Sequence, residues 1–184
     1  MSRLGVTPSQ TVGPYFSIGL PWPEGPFVVG ADEPGAVTIT GTVFDGEGAV
    51  IPDAVVETWQ ADQHGAFGER DGFRGFARVP TGDDGRWAIR TVKPAPVAGP
   101  TRPGGSGAAR QAPHIDVSLF CRGLLHRCVT RIYFADEAAA NAEDPVLASV
   151  PADRRETLLA RPTDDGYRFD IRLQGDDETV FFDV

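Results

Sequence analysis

Tyr167-Arg168-Phe169-Asp170-Ile171-Arg172-Leu173 decides the fold class of this chain. Apolar residues alternate strictly with charged ones, so one face of an extended segment is apolar and the other meets water. It is the cleanest half-buried strand in the sequence.

The same period recurs upstream. Val37, Ile39, Gly41 and Val43 alternate with Thr38, Thr40 and Thr42, and the run ends at the turn pair Asp45-Gly46. Ala54 to Gln60 reads as a strand launched from Pro52-Asp53. Asp83-Asp84-Gly85 is a hairpin-type turn leading into Arg86 to Arg90, with Trp87 and Ile89 on one face. Residues 114–120 and Val129 to Phe134 supply two more strands, and Thr179 to Phe182 closes the series. Residues 93–113, rich in Pro, Gly and Ser, read as one long loop of the functional or mobile kind. Two short helices are expected, at Asp136 to Ala142 and from an Asp153-Arg-Arg-Glu156 capping box through Ala160. These signals predict an all-β fold, a β-sandwich of about seven to eight strands with one or two short helices. The domain is expected over 36–184, preceded by an irregular N-terminal arm over 1–35.

Composition agrees. The chain has 184 residues, of which 41% are hydrophobic, enough for one domain with a real core. Its 16 Pro and 22 Gly favour short strands joined by turns over a helical bundle. A net charge of −9 without a basic run speaks against nucleic acid and anionic membranes as partners. No stretch approaches the ~20 apolar residues of a membrane span. The first residues lack the apolar core of a secretion signal, so a cytoplasmic protein with Cys121 and Cys128 as reduced thiols is expected. A Cys/His metal site from Cys121, His126 and Cys128 is a sharper alternative that lacks a fourth ligand.

The arm carries Tyr15, Phe16, Trp22 and Phe27. A disordered tail rarely contains so many aromatics. Packing on its own domain and reaching into a partner subunit both explain them. Within it, Gly13 and Pro14 fix a bend in Thr11-Val12-Gly13-Pro14-Tyr15 and leave backbone open to close approach.

Two further places could carry chemistry. In Ala112-Pro-His-Ile-Asp-Val-Ser118, alternation puts His114, Asp116 and Ser118 on one face. His114 and Asp116 make half a metal site, since a facial triad for iron needs two His and a carboxylate. His64 or His126 would have to complete it. Arg131 shares a face with Val129 and Tyr133. It is an ion pair, or a stem lying flat with its head in water, or a partly desolvated anchor for a carboxylate. Gly104-Gly105-Ser106-Gly107 has no following Lys and opens no helix, so it reads as a flexible loop and not a phosphate site.

Several segments together carry a family likeness: Thr7 to Tyr15, Val56-Glu-Thr-Trp-Gln-Ala-Asp62, Thr91-Val-Lys-Pro94, Ala112-Pro-His-Ile-Asp116, Thr130-Arg-Ile-Tyr-Phe134, Arg154-Arg-Glu-Thr-Leu158, Tyr167 to Ile171 and Gly175 to Val184. The chain resembles the intradiol ring-cleavage dioxygenases over nearly its whole length, and among them the alpha chains of the two-chain members. In that family the catalytic chain holds ferric iron with two Tyr and two His. Here Phe67 and Val97 stand at the Tyr positions, His114 fits one His, and Asp116 replaces the other. Gln111 stands where a catalytic Arg is expected.

The resemblance therefore implies a chain without its own metal, paired with a homologous beta chain that binds Fe(3+), in a higher hetero-oligomer of alpha–beta pairs. It implies that 3,4-dihydroxybenzoate is cleaved with O2 to 3-carboxy-cis,cis-muconate, a step of the beta-ketoadipate pathway of aromatic catabolism. It also implies that Thr11, Gly13, Pro14, Tyr15 and Arg131 line the substrate pocket. Two other readings of the residues stay open: a non-catalytic β-sandwich binding or structural module, and a metalloenzyme with its own atypical His114/Asp116 site.

Overall fold

The computed structural model describes residues 5–13, 15–101 and 108–184. Eleven strands are present among them: β1 (Ala36–Phe44), β2 (Val55–Trp59), β3 (Phe76–Pro80), β4 (Arg86–Val92), β5 (Val97–Thr101), β6 (Ala108–Gln111), β7 (His114–Phe120), β8 (Cys128–Phe134), β9 (Leu159–Thr163), β10 (Gly166–Arg168) and β11 (Ile171–Arg172). Three short helices accompany them: α1 (Tyr15–Gly19), α2 (Ala138–Glu143) and α3 (Pro145–Ser149).

One mixed sheet runs β3-β2-β7-β8-β9-β10-β1-β4, and β11 continues beside β1 where β10 stops. The β8–β9 and β1–β10 pairs are parallel, and the other neighbours along this path are antiparallel. The turn at 81–85 joins β3 to β4, the two ends of the sheet, so the sheet is nearly closed and folds over one core. Ile39, Val43, Trp87, Ile89 and Ile171 come from one half. Val56, Val79, Ile115, Val117, Leu119, Ile132 and Phe134 come from the other. This is the all-β, sandwich-like class that the alternation predicts, with more and shorter strands than expected.

Gly41 sits where β1 is crowded by its own neighbours, the Trp87 ring of β4 and the backbone that follows β10. A Cβ there would overlap the carbonyl oxygen of Phe169 and lie 2.7–2.8 Å from the Trp87 indole. Neither a ladder backbone nor a buried ring can retreat far in a close-packed interior. Gly41→Ala is expected to destabilise the protein by about 3 kcal/mol, at the upper end for overpacking. A thermal melt unchanged from wild type would contradict this packing.

Four sequence expectations need correction. First, the Tyr167–Leu173 alternation holds in burial, but the ladder breaks between β10 and β11. The Asp170 carboxylate accepts from Thr42 N at 2.9 Å, replacing a strand carbonyl. Second, the long loop at 93–113 contains the β5–β6 hairpin, a separate two-stranded sheet pairing Val97 with Gln111. Its Pro- and Gly-rich composition hides the strand period. The segment 104–107 lies outside the described residues. Third, 179–182 is not a strand. It is tied along β8 by Phe182 N to Val129 O at 2.8 Å and by Thr130 Oγ1 to Val180 O at 2.7 Å.

Fourth, Asp153 caps nothing. Only one 3-10 turn, Arg155–Leu158, forms, because β9 begins at Leu159. The capped helix is α3 instead. The Asp144 side chain accepts from Val146 N and Leu147 N, and Pro145 opens the first turn. α2 falls where a short helix was expected.

Within 1–35, Val28 and Val29 belong to the core, and Trp22 stacks on Phe76 at 6.3 Å. Arg78 and Arg74 both lie over the Trp22 ring. No helix among the described residues is long and apolar enough to cross a membrane.

Candidate functional site

The two-residue period of β2, β3, β7 and β8 gives the sheet an apolar inner face and a mixed outer face. Strand register then sets Phe76, Trp59, Asp116 and Arg131 in one outer row. Arg78, Glu57, Ser118 and Val129 form the next row. A depression of about 370 Å³ opens over these rows, bordered by Glu57, Trp59, Phe76, Asp116, Ser118 and Val129. Phe67 stacks on Trp59 at 6.2 Å, and both residues are partly exposed.

Arg131 is held from three directions. Its Nε donates to Asp116 Oδ1 at 2.8 Å. Its Nη1 donates to Gln111 Oε1 at 2.9 Å and to the Tyr133 hydroxyl at 3.4 Å. The Tyr133 hydroxyl donates in turn to Asp144 Oδ1 at 3.2 Å, and Asp144 Oδ2 accepts from Ala112 N at 2.8 Å. Tyr133 lies on the outer face yet is fully buried, because Ala112, Leu147, Val150 and Leu158 build a second small core over it.

His114 stands beside this network, its ring 5.8 Å from that of Tyr133 and its Nδ1 2.7 Å from Ala112 O. Burial, with the charge of Arg131 behind it, lowers the His114 pKa and keeps the imidazole neutral. Burial works against the Arg131 charge, but Asp116 and Tyr133 together more than offset it and raise that pKa further. Burial likewise pushes the Tyr133 phenol upward, so it stays protonated.

These residues do not fit a family-type iron held by two Tyr and two His. Phe67 and Val97 carry no donor atom. His114 has a buried ring with one nitrogen at a carbonyl, and Asp116 is held by Arg131. The other histidines are elsewhere. His64 borders a depression with Asp62 and Arg70, and His126 borders one with Gln10 and Leu125. Among the described residues no three His, Cys, Asp or Glu side chains gather to hold a metal. Cys121 and Cys128 are free thiols, and burial raises the pKa of Cys121 to about 11.

The arm packs on the turn between β7 and β8. Thr11 Oγ1 accepts from Gly123 N at 2.9 Å, and Phe16 meets Phe120 with ring centroids 5.5 Å apart. Gly13 O accepts from Phe16 N at 3.2 Å, and open space surrounds Gly13 where a Cβ would sit. Tyr15 is 81% exposed. Pro14 lies outside the described residues. Phe120 is four residues along β7 from Asp116, about 13 Å at strand spacing. Within one chain the structure thus joins Arg131, Asp116 and Gln111 into one group and places the arm near the far end of the strand.

Sequence reasoning named His114, Asp116 and Arg131 but missed Tyr133 and Asp144. Asp144-Pro145 carried a readable signal, an N-cap residue followed by proline at the first helical position. The role of Gln111 carried none, since it depends on the register of the unforeseen hairpin.

A family model described as Dioxygenase matches residues 12–175. The chain is 48% identical over 207 aligned positions to the protocatechuate 3,4-dioxygenase alpha chain of Burkholderia cepacia, covering 100% of both. It is 31% identical over 160 positions to the protocatechuate 3,4-dioxygenase beta chain of the same organism, covering 78% of this chain and 66% of that one. Among solved structures it is similar to catechol 1,2-dioxygenase from Acinetobacter sp. ADP1, with a TM-score of 0.62 at 22% identity. That match covers 83% of this chain and 58% of the other, and at this identity it shows a shared fold alone.

Proposed function

Because this chain belongs to the intradiol dioxygenase family, we propose that it is the accessory alpha subunit of a protocatechuate 3,4-dioxygenase. In this reading a homologous beta chain carries the ferric iron, which activates the bound catecholate toward O2. This chain supplies substrate-lining groups and no metal ligand. The product is 3-carboxy-cis,cis-muconate, and several alpha–beta pairs assemble into a larger hetero-oligomer. One observation carries the reading beyond family membership. Asp116, where the family resemblance expects a His ligand, accepts from the Arg131 guanidinium at 2.8 Å.

The work left to this chain is binding and orientation. Arg131 meets the carboxylate of 3,4-dihydroxybenzoate, at the end of the ring away from the reacting hydroxyls. Thr11, Gly13, Pro14 and Tyr15 form a second wall at the joint between the chains. The exposure of Tyr15 and the open space at Gly13 support a role for this stretch against a partner. We divide the chain into an arm over 1–35 and a domain over 36–184. The free state of both cysteines supports placing the protein in the cytoplasm.

Holding a substrate in a reactive pose can contribute several kcal/mol to catalysis without any reacting group on this chain. The test is co-expression with the beta chain. The co-purified complex is expected to turn over 3,4-dihydroxybenzoate, and this chain alone is not. Turnover by the isolated chain, or no association with the beta chain, would overturn the reading.

A further inference from the structure

Arg131 has five N–H groups to satisfy. Nε is taken by Asp116, and Nη1 by Gln111 and Tyr133. Nη2 has no partner among the described residues, and it is not a buried orphan. The side chain is 19% exposed. The guanidinium is thus gripped along one edge and one tip, with a single nitrogen left over. The three partners come from three strands, β6, β7 and β8, so the grip depends on tertiary structure and not on one local turn.

The grip is also braced. Asp116 is paired across the sheet with Trp59 on one side and Arg131 on the other. Tyr133 is fixed from behind by Asp144, itself fully buried and accepting from three backbone N–H groups. A free arginine side chain would lose rotamer entropy on binding an anion. One held in this way has lost it already.

We propose that Asp116 and Gln111 are positioning residues, which clamp Arg131 so that only Nη2 is presented to the carboxylate of an aromatic ligand. This rests on the accessory-subunit reading. The clamp also sets a specificity. A guanidinium with both edges free takes a carboxylate through two parallel hydrogen bonds, whereas this one offers two N–H groups on one nitrogen. The ligand it fits is a ring whose carboxylate approaches end-on. Asp116 balances the guanidinium charge, so discrimination against uncharged catechols comes from directed hydrogen bonds more than from net positive charge.

Two measurements test this. The first needs no partner. In the 15N spectrum of this protein, Arg131 Nε–H is expected to give a resolved, slowly exchanging signal, lost in Asp116→Ala and weakened in Gln111→Leu. A fast-exchanging Nε–H in wild type would overturn the clamp itself.

The second uses the complex with the beta chain. Asp116→Ala is expected to raise KM for 3,4-dihydroxybenzoate about tenfold. Its kcat, and its KM for catechol, which has no carboxylate, should stay within about twofold. Asp116→Asn keeps an acceptor oxygen and is expected to restore most of the loss. Equal losses on both substrates would mean a merely structural role and overturn the proposal, as would an unchanged KM for the acid. A wild-type complex that does not turn over the acid overturns the accessory reading, and the use of the clamp with it. The Nε–H signal separates that failure from failure of the clamp.

Discussion

Asp144→Ala is expected to destabilise the protein by about 3–5 kcal/mol, lowering the melting temperature by roughly 10 °C for a chain of this size. Asp144 is fully buried and accepts four hydrogen bonds. Two cap α3, and loss of such a cap costs about 0.5–2 kcal/mol. The other two come from Ala112 N and the Tyr133 hydroxyl. Buried donors left without acceptors cost about 1–3 kcal/mol each. The losses share one neighbourhood and will not add in full, hence the intermediate figure. Asp144→Asn keeps one oxygen for the helix and is expected to cost less. Equilibrium unfolding in urea measures both, and a midpoint for Asp144→Ala equal to wild type would remove Asp144 as the brace of this region.

Arg131→Ala has the second large expected effect, read in the complex with the beta chain. KM for 3,4-dihydroxybenzoate should rise about 10- to 100-fold, as expected for losing a charge-assisted hydrogen bond of about 1.5–3 kcal/mol. The complex should keep its iron, and kcat should change much less. The protein carries a net charge of −9 and repels an anionic substrate at low ionic strength. Salt screens that repulsion beyond about 10 Å, so the local contact decides affinity. Arg131→Lys is expected to recover little, because an ammonium cannot reproduce bonds from Nε and Nη1 to two partners at once. The substitution also leaves Asp116 and Gln111 without their common partner, so stability should be measured beside the kinetics. An unchanged KM would take Arg131 out of the pocket.

What was legible in the sequence follows from the range of the interactions that produce it. Alternation is local, so the faces of β1, β4, β7 and β8 could be read residue by residue, and Ile115, Val117 and Leu119 do point into the core. The β5–β6 hairpin could not be read. Its strands are short, contain Gly and Pro, and lie off the main sheet, so no apolar period marks them. The Asp170 break was hidden because a carboxylate replaced a carbonyl without disturbing the alternation.

At the site, His114, Asp116 and Arg131 stood out as chemistry on strand faces. Their pairing depends on β7–β8 register, and no single strand encodes register. Arg131 shows the difference well. The sequence offered an ion pair or a carboxylate anchor, and the structure supplies the ion pair with one nitrogen to spare. Family resemblance contributed what periodicity could not, the expectation that Phe67, Val97 and Asp116 fall at ligand positions.

The most direct test of the account is iron per chain, measured on this protein purified alone and on its complex with the beta chain. The account predicts no iron on this chain alone and one iron per alpha–beta pair in the complex. Iron retained by the isolated chain, or two irons per pair, would contradict it. Either result would mean that His114 and Asp116 release Arg131 and Ala112 to build a metal site of a different kind.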